Sequence, residues 1–184
     1  ILAAEGLTDK VNIYAGRLVN ETEVATAPSA SYTQQCFRRD EFAEVEANFM
    51  ALAVQHGFAP GGLPNPASVP CVAVRATDVI VGAKGELWKC WDNVGDPSEI
   101  IGTIADYQVI DESKVNKWLA YDPFEDAQCR TCVALPTCMG GCAHHAFTSA
   151  DRDARCRTFR FTGQERVEEL ARAASGLPHS RTEP

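Results

Sequence analysis

QCRTCVALPTCMGGCAHHA, residues 128–146, carries four of the chain's eight cysteines within fourteen positions and sets two adjacent histidines behind them. Thiols at this density need a chemical reason. Cysteines spaced C-x2-C sit too near each other along the chain to bridge comfortably, and the opening ILAAEGLTDK has neither the basic start nor the long apolar run of a secretory leader. A disulfide framework is therefore set aside. Thiolates held two residues apart on a turn grip a metal centre well, and the choice lies between zinc and iron-sulfur.

Cys129, Cys132, Cys138 and Cys142 supply the four ligands that a structural zinc takes, but that account leaves Cys71, Cys90 and Cys156 idle. Iron-sulfur proteins offer another precedent: in a compact cysteine run the last thiol can ligate a different cluster from the first three. Seven thiols then divide into four plus three.

Outward from the cluster, the 184 residues are 45% hydrophobic and 23% charged, a folded composition with room for one domain, or for a small domain plus part of another. The net charge of −8 and the lack of any Lys/Arg run argue against a nucleic-acid or anionic-membrane surface, and no apolar stretch is long enough to span a bilayer. KVNIYAGRLV (10–19) reads as a buried strand. After a polar connection over 20–35 comes DEFAEVEANFMALAVQHG, a helix with Phe42, Val45, Phe49, Leu52 and Ala53 on one face and Gly57 as its stop. One strand and one helix cannot close a core, so they read as the last unit of a strand-helix barrel or an open α/β sheet. APGGLPNPASVP (59–70), with four prolines and two glycines, marks a domain boundary. Beyond it, 72–81 and 86–91 read as a β-hairpin turning at Gly82 to Gly85. A short helix is expected over 112–121 with Val115, Trp118 and Leu119 on one face, a terminal amphipathic helix over 163–174, and a loose tail after it.

The series Cys71, thirteen residues, Gly85, four residues, Cys90, then C-x2-C-x5-C-x3-C from Cys129 to Cys142, then Cys156, resembles the seven-cysteine signature of the SPASM domain. That domain is the C-terminal extension of radical S-adenosylmethionine (SAM) enzymes that modify peptides and proteins. The resemblance covers residues 63–160 and implies an α/β (α+β) architecture: the end of a partial (β/α) barrel over 1–62, a SPASM domain over 63–160 with cysteine-rich loops holding two auxiliary 4Fe-4S clusters, and a terminal helix and tail over 161–184. It further implies that Cys71, Cys90 and Cys142 hold auxiliary cluster I, and that Cys129, Cys132, Cys138 and Cys156 hold auxiliary cluster II. Some relatives supply a fourth cluster I thiol soon after the first; VAVRATDVIVGAK after Cys71 has none, which leaves Cys36, a non-thiol group, or an open iron for a substrate sulfur.

The C-x3-C-x2-C motif of a SAM-binding cluster is not in this sequence; CMGGCAHH has the first two spacings but places His145 at the third position. The resemblance thus implies that SAM and a third 4Fe-4S cluster belong to a preceding N-terminal part, and that this chain alone is inactive. The implied function is that of the C-terminal region of a cytoplasmic maturase acting on a ribosomally made precursor peptide, with thioether cross-linking favoured. A flavodoxin or ferredoxin is the implied electron donor. Sulfatase-maturating protein oxidation and a structural zinc-binding interaction module are the alternatives. Trp88 and Trp91 read as hairpin packing beside Cys90, Gly140 and Gly141 as a tight turn or a close approach to a cluster, and His144 and His145 as surface or capping residues.

Overall fold

The helix expected after residue 39 forms as α1 (Arg39–Gln55) in a computed structural model that describes residues 1–18, 36–59, 61–106 and 110–175. Its first turn is closed by Glu41, whose carboxylate accepts from the Arg38 N–H at 2.9 Å, and Asp40 and Glu41 sit at the positive end of the helix dipole. Gly57, at φ +87°, follows the last turn in the left-handed conformation that a stop requires. The buried face is the expected one in part: Phe42 and Ala53 are buried, joined by Ala43, whereas Val45 is exposed and Leu52 is 53% exposed. The cause is the partner. Helix α1 leans on a terminal helix, numbered α6 below (Phe159–Ala174), and on a 3-10 turn at Arg152–Arg155, where Arg39 Nε donates to the carbonyl of Ala154 at 2.9 Å.

The strand expected over 10–19 does not form among the described residues. Residues 11–18 carry no regular structure, and Tyr14 is 83% exposed. A β-segment needs a neighbour to take its N–H and C=O groups, and no described strand pairs with this one. Arg17 Nη1 donates to the Phe37 carbonyl at 3.0 Å, which holds the segment beside the start of α1. The polar connection over 20–35 and the tail over 176–184 lie outside the described residues.

The hairpin forms, but shorter than expected. Strands β1 (Ile80–Val81) and β2 (Glu86–Trp88) pair antiparallel with Ile80 opposite Trp88, and a third strand that the sequence did not announce, β3 (Gly102–Thr103), pairs with β2. Gly82 N–H donates to the Glu86 carbonyl at 2.8 Å and Gly85 N–H to the Gly82 carbonyl at 3.0 Å, with Gly85 at φ +85°. The run 72–81 departs from strand because Val72–Val74 is a 3-10 turn and because Lys89 is only 2% exposed. Its Nζ donates to the carbonyls of Arg75 and of Asp78, the latter at 2.7 Å. Carbonyls gathered round an ammonium are not free to pair in a ladder.

Helix α2 (Glu112–Leu119) is capped by Asp111, which accepts from Ser113 N–H at 3.1 Å and Lys114 N–H at 3.2 Å. It packs against the Val72–Val74 turn and buries Trp118, while Leu119, expected on the same face, is exposed. The cysteine-rich stretch folds into three short helices, α3 (Ala127–Arg130), α4 (Leu135–Cys138) and α5 (Ala143–Thr148), followed by the Arg152–Arg155 turn. Phe147 of α5 meets Trp118 edge-on at 5.4 Å and Tyr121 at 5.8 Å, which seats the cysteine loops on α2. Helix α6 begins at Phe159, one turn earlier than expected, because the Phe159 ring lies against Gly163, the residue read as the start. The proline-rich connection runs along this part of the molecule: Ala67 N–H donates to the Pro136 carbonyl at 2.9 Å and Arg166 Nη2 to the Gly62 carbonyl at 3.1 Å.

Candidate metal centre

Asp126 organises the first group of thiols. One carboxylate oxygen caps α3 through Gln128 N–H (2.8 Å) and Cys129 N–H (3.2 Å), and the other takes the guanidinium groups of Arg152 and Arg155. The beginning of the cysteine run and the turn before Cys156 are thereby held together. Between them lies one recess lined by Cys129, Cys132, Cys138, Cys156, Gly140 and Arg160, among others. The four thiols assigned by resemblance to cluster II thus face one space.

Two cations serve that space. Arg160 Nη1 lies 2.8 Å from Cys156 Sγ, and Arg155 Nη2 lies 3.4 Å from Cys129 Sγ. Burial pushes both thiols up from their ordinary range, and the guanidinium groups oppose the shift by favouring thiolates. On Arg155 the buried Nε–H has no acceptor among the described residues. An anionic, sulfur-rich group in the neighbouring recess is the kind of partner such a donor lacks.

The backbone between Cys138 and Cys142 is shaped for a close approach. Met139, Gly140 and Gly141 are consecutive left-handed residues at φ +48°, +87° and +76°. A Cβ on Gly140 would stand 2.5 Å from Tyr121 Oη, whose hydroxyl donates to the Gly140 carbonyl at 2.6 Å. This reversal sends Cys142 away from the recess.

Cys142 goes instead toward Cys90, whose thiol is pushed up to about 12, first by burial and then by the negative charges of Asp92 and Cys142. Cys90 packs with Ala73, Trp118 and Ala143, and Cys71 lies against the same cluster. Lys89 is near enough to Cys71 to feel its charge, although burial pulls its own pKa down. Each of Cys71, Cys90 and Cys142 is the extended residue just before a short helical turn, which aims the three side chains from three different segments. Cys36, half-buried ahead of α1, belongs neither to the recess lining nor to the core around Cys90.

Two residues that sequence reasoning missed or set aside stand at this second group. Ligand atoms of Cys90, Asp92 and His144 all lie within 4.8 Å of one another, and the Cys90 thiol donates to Asp92 Oδ2 at 3.6 Å. His144, read as a surface or capping residue, is therefore placed beside a thiol; His145 behaves differently, with Nδ1 2.9 Å from the Ala154 carbonyl. The pattern C-x-D and C-x-H, at 90–92 and 142–144, was the signal available in the sequence. Trp88 is buried with Nε1 donating to the Asp96 carbonyl at 3.2 Å, while Trp91 is 71% exposed and shields nothing.

No family model, curated protein or solved structure matches the chain. Among the described residues no helix is long and apolar enough to cross a membrane. The donor chemistry of the two groups suits iron-sulfur clusters: four thiols facing one recess beside two guanidinium groups, and Cys71 and Cys90 at one apolar core with Cys142 within electrostatic reach of Cys90.

Proposed function

We propose that this chain is the auxiliary iron-sulfur region of a radical SAM enzyme that modifies a ribosomally made peptide, with thioether cross-linking as the bond formed. The carrying observation is the spatial sorting of the thiols: Cys129, Cys132, Cys138 and Cys156 line one recess, while Cys71 and Cys90 share a core with the start of α5, and Cys142 lies within electrostatic reach of Cys90. Spacing along the chain alone does not demand this division, because Cys142 is nearer in sequence to Cys138 than to Cys90.

In this reading Cys129, Cys132, Cys138 and Cys156 hold cluster II, and Cys71, Cys90 and Cys142 hold cluster I. When bound, such clusters supply electron transfer and, at an iron short of one thiolate, a Lewis-acidic position for a substrate sulfur. The chain's own residues do the rest. Arg155 and Arg160 donate to sulfur and offset the negative charge of four thiolates. Trp118, Ala73 and Ala143 exclude water around Cys90. SAM binding and its cluster would reside in sequence outside this chain, as would contacts to a flavodoxin- or ferredoxin-type donor.

A structural zinc module is the second reading, favoured by one observation: ligand atoms as close together as those of Cys90, Asp92 and His144 suit a single ion. Anaerobic purification with metal analysis separates the two. The iron-sulfur reading expects a brown protein with broad absorption near about 400 nm and roughly eight irons per chain. A colourless protein holding only zinc would sink it.

A further inference from the structure

Four arginines fall within the nine residues around Cys156, at 152, 155, 157 and 160. They go to different places. Arg152 reaches Asp126, and Arg157, which is exposed, donates to the Pro70 carbonyl at 3.2 Å. Arg155 and Arg160 go to sulfur, with Arg155 Nη2 3.4 Å from Cys129 Sγ and Arg160 Nη1 2.8 Å from Cys156 Sγ. Arg160 also lines the recess and feels the charge of Cys132, so three of the four thiols assigned to cluster II meet one guanidinium or the other.

Both cations are held for that contact. Asp126 accepts from Arg155, and Asp153 Oδ1 pairs with Arg160 Nη1 at 2.7 Å, so a carboxylate pins each guanidinium beside its sulfur. The carboxylates do not cancel the cations: Arg155 outweighs Asp126 at Cys129, and Arg160 outweighs Asp153 at Cys156. The two side chains are only 12% and 22% exposed, where charge is screened less than at the surface. Arg155 keeps a further donor, its buried Nε–H, without an acceptor among the described residues. A cluster held by four thiolates gains one more negative charge when it is reduced, and N–H groups at its sulfurs stabilise that charge.

We propose that Arg155 and Arg160 are the potential-setting residues of cluster II: their N–H groups, directed at the ligand sulfurs, raise its reduction potential and make it an electron carrier as well as a structural tie. This rests on the iron-sulfur reading above. A purely structural pairing of the two arginines with Asp126 and Asp153 would show in stability and leave the potential where it was.

The test uses the whole chain, reconstituted anaerobically with iron and sulfide and followed by EPR through a redox titration. Cys71→Ala, which keeps the four recess thiols, identifies the cluster II signal. Arg160→Gln and Arg155→Gln should each move the cluster II midpoint to more negative potential at unchanged iron content and leave cluster I where it is; Arg157→Gln, beside Cys156 in sequence but bonded elsewhere, should move neither. Wild-type protein grown with 15N-labelled arginine gives a readout that needs no variant: a nitrogen hyperfine coupling on the cluster II signal in pulsed EPR. If one Gln variant loses iron, the other variant and the labelled wild type decide. A cluster II midpoint unmoved by the Gln variants, an equal shift in Arg157→Gln, no arginine coupling in the wild type, or a cluster II that takes up no electron would overturn the proposal and leave the cluster reading standing. A colourless, zinc-only protein would overturn both.

Discussion

The amide of Cys142 donates to the carbonyl of Arg155 at 2.8 Å, and a Cβ on Gly141 would stand 1.8 Å from that same oxygen. The contact joins the end of the cysteine run to the residue before Cys156, and so links the two thiol groups through one backbone hydrogen bond. Gly141 is also at φ +76°, where any side chain is strained. Gly141→Ala should lower stability by on the order of 3 kcal/mol, the range of a forced backbone shift at a buried turn. Gly62→Ala, where nothing lies within 4 Å of the added carbon, is the control and should stay within about 0.5 kcal/mol of wild type. Equal denaturation midpoints for the two variants would show that the turn relaxes freely.

The division of the thiols predicts two distinguishable losses. Cys132→Ala removes one of the four thiols of the recess, whose walls are only short helices and turns that a metal centre would tie together. About four irons should be lost, with a drop in soluble yield. Cys71→Ala should remove the other cluster and spare the recess. Iron analysis with Mössbauer spectra checks this; the same spectral component disappearing in both variants would contradict the grouping.

How much of this was legible in the sequence depends on range. Helix α1 and its stop at Gly57 came from local periodicity and a local backbone need, as did the positive φ of Gly85. Strand β3 has two residues, Gly102 and Thr103, too few to show any alternation. The strand expected over 10–19 failed for the opposite reason: its apolar residues looked right, but pairing depends on a neighbour that local composition does not encode. Lys89 inside LWKCW was unreadable as a core residue, since only the fold brings the carbonyls of Arg75 and Asp78 to its ammonium. His144 and Asp92 were hidden similarly, each two residues from a cysteine on separate segments that meet only in three dimensions.

Gly85 should matter more to one thiol group than to the other. A Cβ there would lie 2.7 Å from Ile104 Cγ2, and the residue's φ of +85° sets the turn that leads through β2 to Cys90. Gly85→Val should therefore reduce occupancy of the Cys71/Cys90/Cys142 group more than that of the recess. Iron quantitation and cluster-resolved Mössbauer spectra give the comparison, and equal loss at both would mean that the turn acts only on global folding.

The Asp126 clamp gives a pH dependence with a definite sign. Hydrogen bonding from Arg155, aided by Arg152 and the α3 amides, holds the Asp126 carboxyl well below the usual carboxylate range. A carboxyl lowered by folding contributes stability that is present above its unfolded pKa, near about 4, and is lost as pH falls through the folded value. Asp126→Asn should therefore be less stable than wild type at pH 7, by on the order of 1 kcal/mol for a partly exposed clamp, and the two should converge in acid. The quantity to measure is the difference in denaturant midpoint at each pH. A difference that stays constant down to about pH 3 would mean that the clamp's charge contributes nothing.

Thioether chemistry makes a demand on the Cys71, Cys90 and Cys142 group. Three cysteines leave one iron of a four-iron cluster without a thiolate from that group, and a substrate cysteine is a strong donor to it once deprotonated. A cysteine-containing peptide added to the reduced, reconstituted chain should shift the EPR signal of one cluster and leave total iron unchanged, and the shift should persist in Cys36→Ala. Its Cys→Ala counterpart should change nothing. An EPR spectrum indifferent to every thiol would mean that the fourth position is closed to exchange. The peptide's sulfur would then have no place on this cluster, and the thioether reading would lose its binding site while the iron-sulfur reading kept its seven cysteines.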